Sequence, residues 1–232
     1  MIDDPKIVIA LDYASPQVAL NFVQQLDPKL CRLKIGKELF TAAGPLLIET
    51  LISKGFGIFL DLKFHDIPTT VGKACEAASR LGVWMLNVHA SGGSGMMEAA
   101  REGVDRSGQK PLLIAVTVLT SMNQSMLNEV GVTGSVSAQV LKLSLLTKKS
   151  GLDGVVCSAQ EAPVLRKALG DDFCLVTPGI RPSDTNIDDQ SRVVTPSQAL
   201  ALGSSYLVIG RPITQSPTPL ETLIKINREL ML

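Results

Sequence analysis

Short apolar runs alternate with longer stretches whose apolar residues recur at helical spacing, and the alternation repeats eight times along the 232 residues. The runs predict strands over 7–11, 31–35, 57–62, 84–88, 112–118, 154–157, 174–176 and 206–209. Several are almost wholly apolar, the pattern of a parallel sheet buried on both faces. Helix starts are marked by Ser15-Pro16, Thr195-Pro196 and Thr218-Pro219. Each pairs a hydroxyl N-cap with a proline suited to the first helical position. The segment 137–150 carries Val140, Leu141, Leu143, Leu145 and Leu146, a wide apolar stripe that would pack on a sheet.

Eight consecutive βα units without a linker, low-complexity stretch or charge block predict one α/β domain over residues 1–232, a closed (β/α)8 TIM barrel. Closure rests on the strand count, so an open doubly wound sheet is the alternative. Hydrophobic residues make up 45% of the chain, enough for one substantial core. The 22 Lys and Arg cancel the 22 Asp and Glu, which leaves no charge footprint for nucleic acid or an anionic membrane surface. Any anion site must therefore be local. Cys31, Cys75, Cys157 and Cys174 are scattered, with no C-x-x-C pair and no histidine at zinc-ligand spacing. Reduced core thiols in a cytoplasmic protein are the expectation. The start, MIDDPKIVIALD, lacks the basic and long apolar regions of a secretion signal, and no stretch is long enough to span a bilayer.

Polar residues gather at the ends of the expected strands, and the third is the densest. Leu60-Asp61-Leu62-Lys63-Phe64-His65-Asp66-Ile67-Pro68-Thr69-Thr70 sets three charges of alternating sign behind the apolar run Ile58-Phe59-Leu60. Strand alternation projects Asp61 and Lys63 from one side and Leu60, Leu62 and Phe64 from the other. Asp66 falls beyond the strand, where Pro68 prevents simple continuation. An exposed ion pair would be worth little. A carboxylate and an ammonium at the carboxyl end of a doubly buried strand instead require a polar pocket, and α/β sheets and barrels place their sites there.

The string DLKFHDIPTTV, with its Asp61-x-Lys63-x-x-Asp66 core, resembles the catalytic signature of the orotidine 5'-phosphate decarboxylase family. Strand one ends in Asp12 and strand two carries Lys34 near its end, and barrel closure would bring both to the Asp61, Lys63 and Asp66 cluster. For Asp12 a cap on the following helix is an equal reading. The resemblance implies that Asp12 and Lys34 contact the ribose and that Thr120 contacts the pyrimidine. It implies a phosphate grip by Arg181, Gln190, Gly210 and Arg211, in the loops where such barrels often bind phosphate. The polar connection over 180–193 is long enough to be a lid. His65 and His89 receive no role, since a histidine at a strand end is as often structural as chemical.

The activity so implied is decarboxylation of orotidine 5'-phosphate to uridine 5'-phosphate, with Lys63, Asp61, Asp66 and Lys34 as catalytic residues and no organic cofactor or metal. Lys63 would stabilise the C6 carbanion and then protonate it. Asp61 would either repel the scissile carboxylate or aim Lys63. The family also implies a homodimer in which Asp66 and Thr70 reach the neighbouring site, although Thr69 or Thr70 could equally cap a helix. Three rivals stand beside this reading. A magnesium-dependent sugar-phosphate enzyme of the same suprafamily would carry an acid where Lys34 stands. A Schiff-base aldolase needs a free amine, whereas flanking carboxylates favour the ammonium. A non-catalytic nucleotide-binding barrel would use only the Gly210-Arg211 end.

Overall fold

The computed structural model describes residues 4–182 and 194–230. Its eight parallel strands close in sequence order, β1 (Ile7–Leu11), β2 (Arg32–Gly36), β3 (Ile58–Phe64), β4 (Met85–His89), β5 (Leu112–Val116), β6 (Gly154–Val156), β7 (Cys174–Thr177) and β8 (Tyr206–Ile209), with β1 paired to β8. The open-sheet alternative is thereby excluded.

The helices are more numerous than the eight segments expected. They run α1 (Pro16–Val23), α2 (Lys37–Ala43), α3 (Pro45–Ser53), α4 (Pro68–Arg80), α5 (Ser94–Arg106), α6 (Gln124–Glu129), α7 (Val136–Lys149), α8 (Ala162–Leu169), α9 (Pro196–Ala201), α10 (Arg211–Thr214) and α11 (Pro219–Glu229). One expected helix is split in two by Gly44, whose φ of 66° lies in the left-handed region that glycine tolerates. Pro45 then starts α3 at once. Pro16, Pro196 and Pro219 open their helices as expected, but only Thr195 forms a cap. Its hydroxyl accepts from the Gln198 N–H, and the Gln198 side chain accepts in return from the Thr195 N–H. Ser15 and Thr218 make no side-chain cap.

The stripe on α7 is narrower than the leucines suggest. Val140 and Leu143 are buried, whereas Leu145 is 47% exposed. Ser144 and Thr147 take core positions by donating their hydroxyls to the carbonyls of Val140 and Leu143 one turn back.

Two layers of apolar side chains result from strand alternation. Leu11, Leu33, Ile35, Leu60 and Leu86 face outward to the helices. Val8, Ala10, Phe59, Met85, Ile114, Val176 and Val208 fill the barrel interior. The N-terminal end is plugged by Arg32, whose guanidinium lies 4.0 Å from the Trp84 ring centroid and pairs with Asp4 at 2.8 Å. Tyr206 closes edge-on against Trp84 at 4.8 Å. The other end, where Ala10 and Gly210 contribute almost no side-chain volume, is left open as a mouth. Burial pushes the thiols of Cys31, Cys75 and Cys174 up to about 12, which makes them unreactive core groups.

Candidate active site

The mouth is a cavity of about 350 Å³ at the carboxyl ends of the strands. Asp12, Lys34, Asp61 and Lys63 line it. Thr120, Arg181, Gly210 and Arg211 line it as well, with Gly210 close beside Asp12. Phe59, Val116, Val156 and Val208 provide an apolar floor between them. Residues expected at both ends of one substrate thus share one concavity, although up to 199 positions separate them in the chain (211 − 12).

The charges form a connected series. Asp12 Oδ1 lies 3.3 Å from Lys34 Nζ, Lys34 Nζ lies 3.4 Å from Asp61 Oδ2, and Asp61 Oδ1 accepts from Lys63 Nζ at 2.6 Å. Asp12 is the wet end, with its side chain 69% exposed, so its pair contributes little energy. Its carboxylate faces Lys34 while Ser15 holds the N-cap position of α1, so the capping reading of Asp12 falls. Asp61 is 8% exposed. Burial alone would push its carboxyl up, but the Lys34 and Lys63 charges and the hydrogen bonds from Lys63 and Asn87 outweigh that and hold it below the usual range.

Lys63 reaches this position through an irregularity. Leu60 pairs with Leu86 and Phe64 with Val88, so Asp61, Leu62 and Lys63 bulge opposite the single residue Asn87. Lys63 is the one non-glycine residue with positive φ among the described residues, at 52°. A left-handed lysine costs about 1–2 kcal/mol and persists only where its surroundings hold it. Asn87 bonds this turn, and the sequence alone had given it no role. Its Oδ1 accepts from the Lys63 backbone N–H at 2.8 Å, and its Nδ2 donates to Asp61 Oδ1 at 2.7 Å. An amide inside the apolar run Trp84-Met85-Leu86-Asn87-Val88 was the available signal, because a buried amide must find partners.

His65 and His89 approach each other across the rim, with ring centroids 5.5 Å apart. Burial first, and then the charges of His65, Lys37 and Lys63, bring His89 down to about 4. Neither ring lines the cavity.

Asp66 and Thr70 are exposed and are not among the residues that line the cavity. Asp66 Oδ1 accepts from the Ile67 N–H at 2.7 Å. Ile67 is the N-cap of α4, so neither Thr69 nor Thr70 plays the capping role. Gln190 and most of the expected lid lie outside the described residues. The base of that connection is anchored, since the Arg181 N–H donates to the Val194 carbonyl at 3.2 Å and Ile180 bridges Val194. The strand expected to reach Val118 ends at Val116, which pairs with Val156, the last residue of β6. Thr117 closes that end, donating both its backbone N–H, at 3.4 Å, and its hydroxyl, at 3.0 Å, to the Val156 carbonyl.

The arrangement suits a substrate with a distant anion and a polar ring: cationic groups at one end, an apolar floor, and a buried carboxylate flanked by ammoniums at the other. Known proteins agree with this picture. Residues 5–226 match the profile of the Orotidine 5'-phosphate decarboxylase / HUMPS family. The chain is 58% identical over 227 residues to the orotidine 5'-phosphate decarboxylase of Hydrogenovibrio crunogenus, covering 98% of this chain and 96% of that protein. It is 60% identical over 224 residues to the protein of the same name from Chromobacterium violaceum, covering 97% and 91%. A crystal structure of orotidine 5'-phosphate decarboxylase from Lactobacillus acidophilus superposes with a TM-score of 0.89 at 39% identity, over 99% of this chain and 100% of that one.

Proposed function

Since the chain belongs to the orotidine 5'-phosphate decarboxylase / HUMPS family, we propose that it converts orotidine 5'-phosphate to uridine 5'-phosphate and CO2, the last step of de novo UMP synthesis. The observation that carries this reading is the Lys34–Asp61–Lys63 series, centred on the buried Asp61 carboxylate, in one cavity with Arg181 and Arg211. The substrate phosphate binds Arg181, Gln190, Gly210 and Arg211, the ribose meets Asp12 and Lys34, and Thr120 contacts the pyrimidine edge. C6 then lies beside Lys63.

As the bond from C6 to the carboxylate breaks, CO2 leaves and the electron pair stays on C6 in the ring plane, where no neighbouring carbonyl can delocalise it. The Lys63 ammonium stabilises that pair and then transfers its proton to C6, which yields uridine 5'-phosphate and a neutral amine. A unit charge at about 4 Å contributes about 4 kcal/mol at an effective dielectric of 20. The remainder comes from positioning and from phosphate binding that drives closure over the ring. Asp61 holds Lys63 by the 2.6 Å hydrogen bond. Its charge also opposes the substrate carboxylate until CO2 departs.

Lys34 speaks against a metal-dependent relative. Its ammonium already stands between Asp12 and Asp61, where a divalent ion would need those carboxylates. The reaction so written uses no cofactor. The functional unit is a homodimer of single-domain barrels, spanning residues 1–232, in which Asp66 and Thr70 complete the partner's site; their exposure and their absence from the lining of the cavity support this. No helix among the described residues is long and apolar enough to cross a membrane, and the balanced charge suits a cytoplasmic enzyme that binds no nucleic acid.

Loss of orotidine 5'-phosphate absorbance in the presence of a chelator tests the activity directly. Lys63→Ala is expected to lower turnover by about 10³-fold or more, by loss of both charge stabilisation and the proton donor, while uridine 5'-phosphate still binds. Full turnover by Lys63→Ala would refute the assignment.

A further inference from the structure

Asn87 is fully buried at the centre of β4, and nothing in the decarboxylation scheme requires it to touch substrate. Its amide nevertheless binds both halves of the catalytic pair at once. The carbonyl oxygen takes the backbone N–H of Lys63, and the NH2 group donates to the same Asp61 oxygen that accepts from Lys63 Nζ. The orientation of the amide is dictated by its partners, because a backbone N–H requires an acceptor and a carboxylate requires a donor.

We propose that Asn87 is a positioning residue that clamps the β3 bulge, keeping Lys63 in its left-handed conformation and Asp61 turned toward the ammonium. This rests on the decarboxylase reading above. The clamp acts at one point of the barrel, where three residues of β3 lie opposite Asn87. Without it, the Lys63 N–H is left facing apolar β4 and the bulge is free to return to ordinary strand pairing. Lys63 Nζ would then lose its place beside C6, although the phosphate end of the cavity would be untouched.

The side chain is specific for this task. A hydroxyl at position 87 is too short to span both partners. A carboxylate keeps the shape and the acceptor but turns its second oxygen against Asp61. Asn87→Ser and Asn87→Asp are therefore measured beside wild type for kcat and KM on orotidine 5'-phosphate and for the Kd of uridine 5'-phosphate. The clamp predicts that kcat falls by about tenfold or more in Asn87→Ser and further in Asn87→Asp, while KM and the product Kd stay within about threefold. A folded variant that binds uridine 5'-phosphate and keeps kcat within about twofold of wild type would overturn the proposal. So would losses confined to KM.

If both variants lose product binding through misfolding, hydrogen exchange of the unmodified protein decides the matter. The Lys63 amide is expected to be protected to the level of the β4 amides, and exchange as fast as that of exposed rim amides would refute the clamp. Wild-type protein that does not turn over orotidine 5'-phosphate would sink the decarboxylase reading instead, with the exchange measurement still testing the Asn87 contact.

Discussion

His89 bears a cost that the fold imposes on a single side chain. Held near 4 in the folded protein and near 6.5 in the unfolded chain, it is neutral in the native state at neutral pH. Between those values the unfolded chain binds a proton that the folded protein does not, so stability must fall as pH is lowered from about 6.5 to 4. Asp61 adds a separate loss at lower pH. Its folded value lies below the ordinary 3.8, so its stabilising contribution is present above that value and disappears as the pH falls through the folded one. Urea midpoints measured across pH 4 to 7 are expected to decline toward acid in wild type and to decline less steeply in His89→Asn. An unchanged slope would show that the ring titrates alike in both states.

At the scale of elements, the helix that follows the catalytic strand is held by close backbone packing. A methyl group on Gly103 of α5 would strike the Gly72 carbonyl of α4, and one on Gly72 would come within 2.8 Å of the Ala99 carbonyl. Backbone on both sides cannot yield as a flexible side chain would. Gly103→Ala is expected to destabilise the protein by about 1–3 kcal/mol, read as a lower melting temperature. Gly95→Ala on the same helix meets nothing within 4 Å and serves as the control, neutral or stabilising by up to about 1 kcal/mol. Equal losses in the two variants would show that the α4–α5 contact is not the cause.

The whole molecule raises the question of how many chains make one site. If Lys63 of one subunit works with Asp66 of the other, Lys63→Ala and Asp66→Ala are each nearly inactive alone. Refolding them together at equal ratio makes about half the dimers mixed, each with one intact site, and restores about a quarter of wild-type turnover. No recovery on mixing would place the whole site within one chain.

Much of this was readable in order along the chain. The apolar runs locate all eight strands, with 7–11 and 206–209 unchanged at both ends, and Asp61 and Lys63 line the cavity together as period-two alternation predicts, although Lys63 gets there through the bulge. Alternation is a local property of neighbouring Cβ directions, so a strand carries it before any partner is known. Helix ends were less legible: Ser15 and Thr218 have the composition of caps but not the bond, and Gly44 divides what looked like one segment.

What only the tertiary structure decided is distance and register. The left-handed turn at Lys63 arises from pairing β3 with β4, and Asn87 acquires its meaning from partners 24 and 26 positions away. The cavity exists because closing the ring carries Asp12, Asp61 and Arg211 to one mouth. Side-chain direction is set by the adjacent peptide units, whereas proximity is set by which strands hydrogen-bond and at what offset. Local pattern therefore determined which residues face inward, and long-range pairing determined which of them meet.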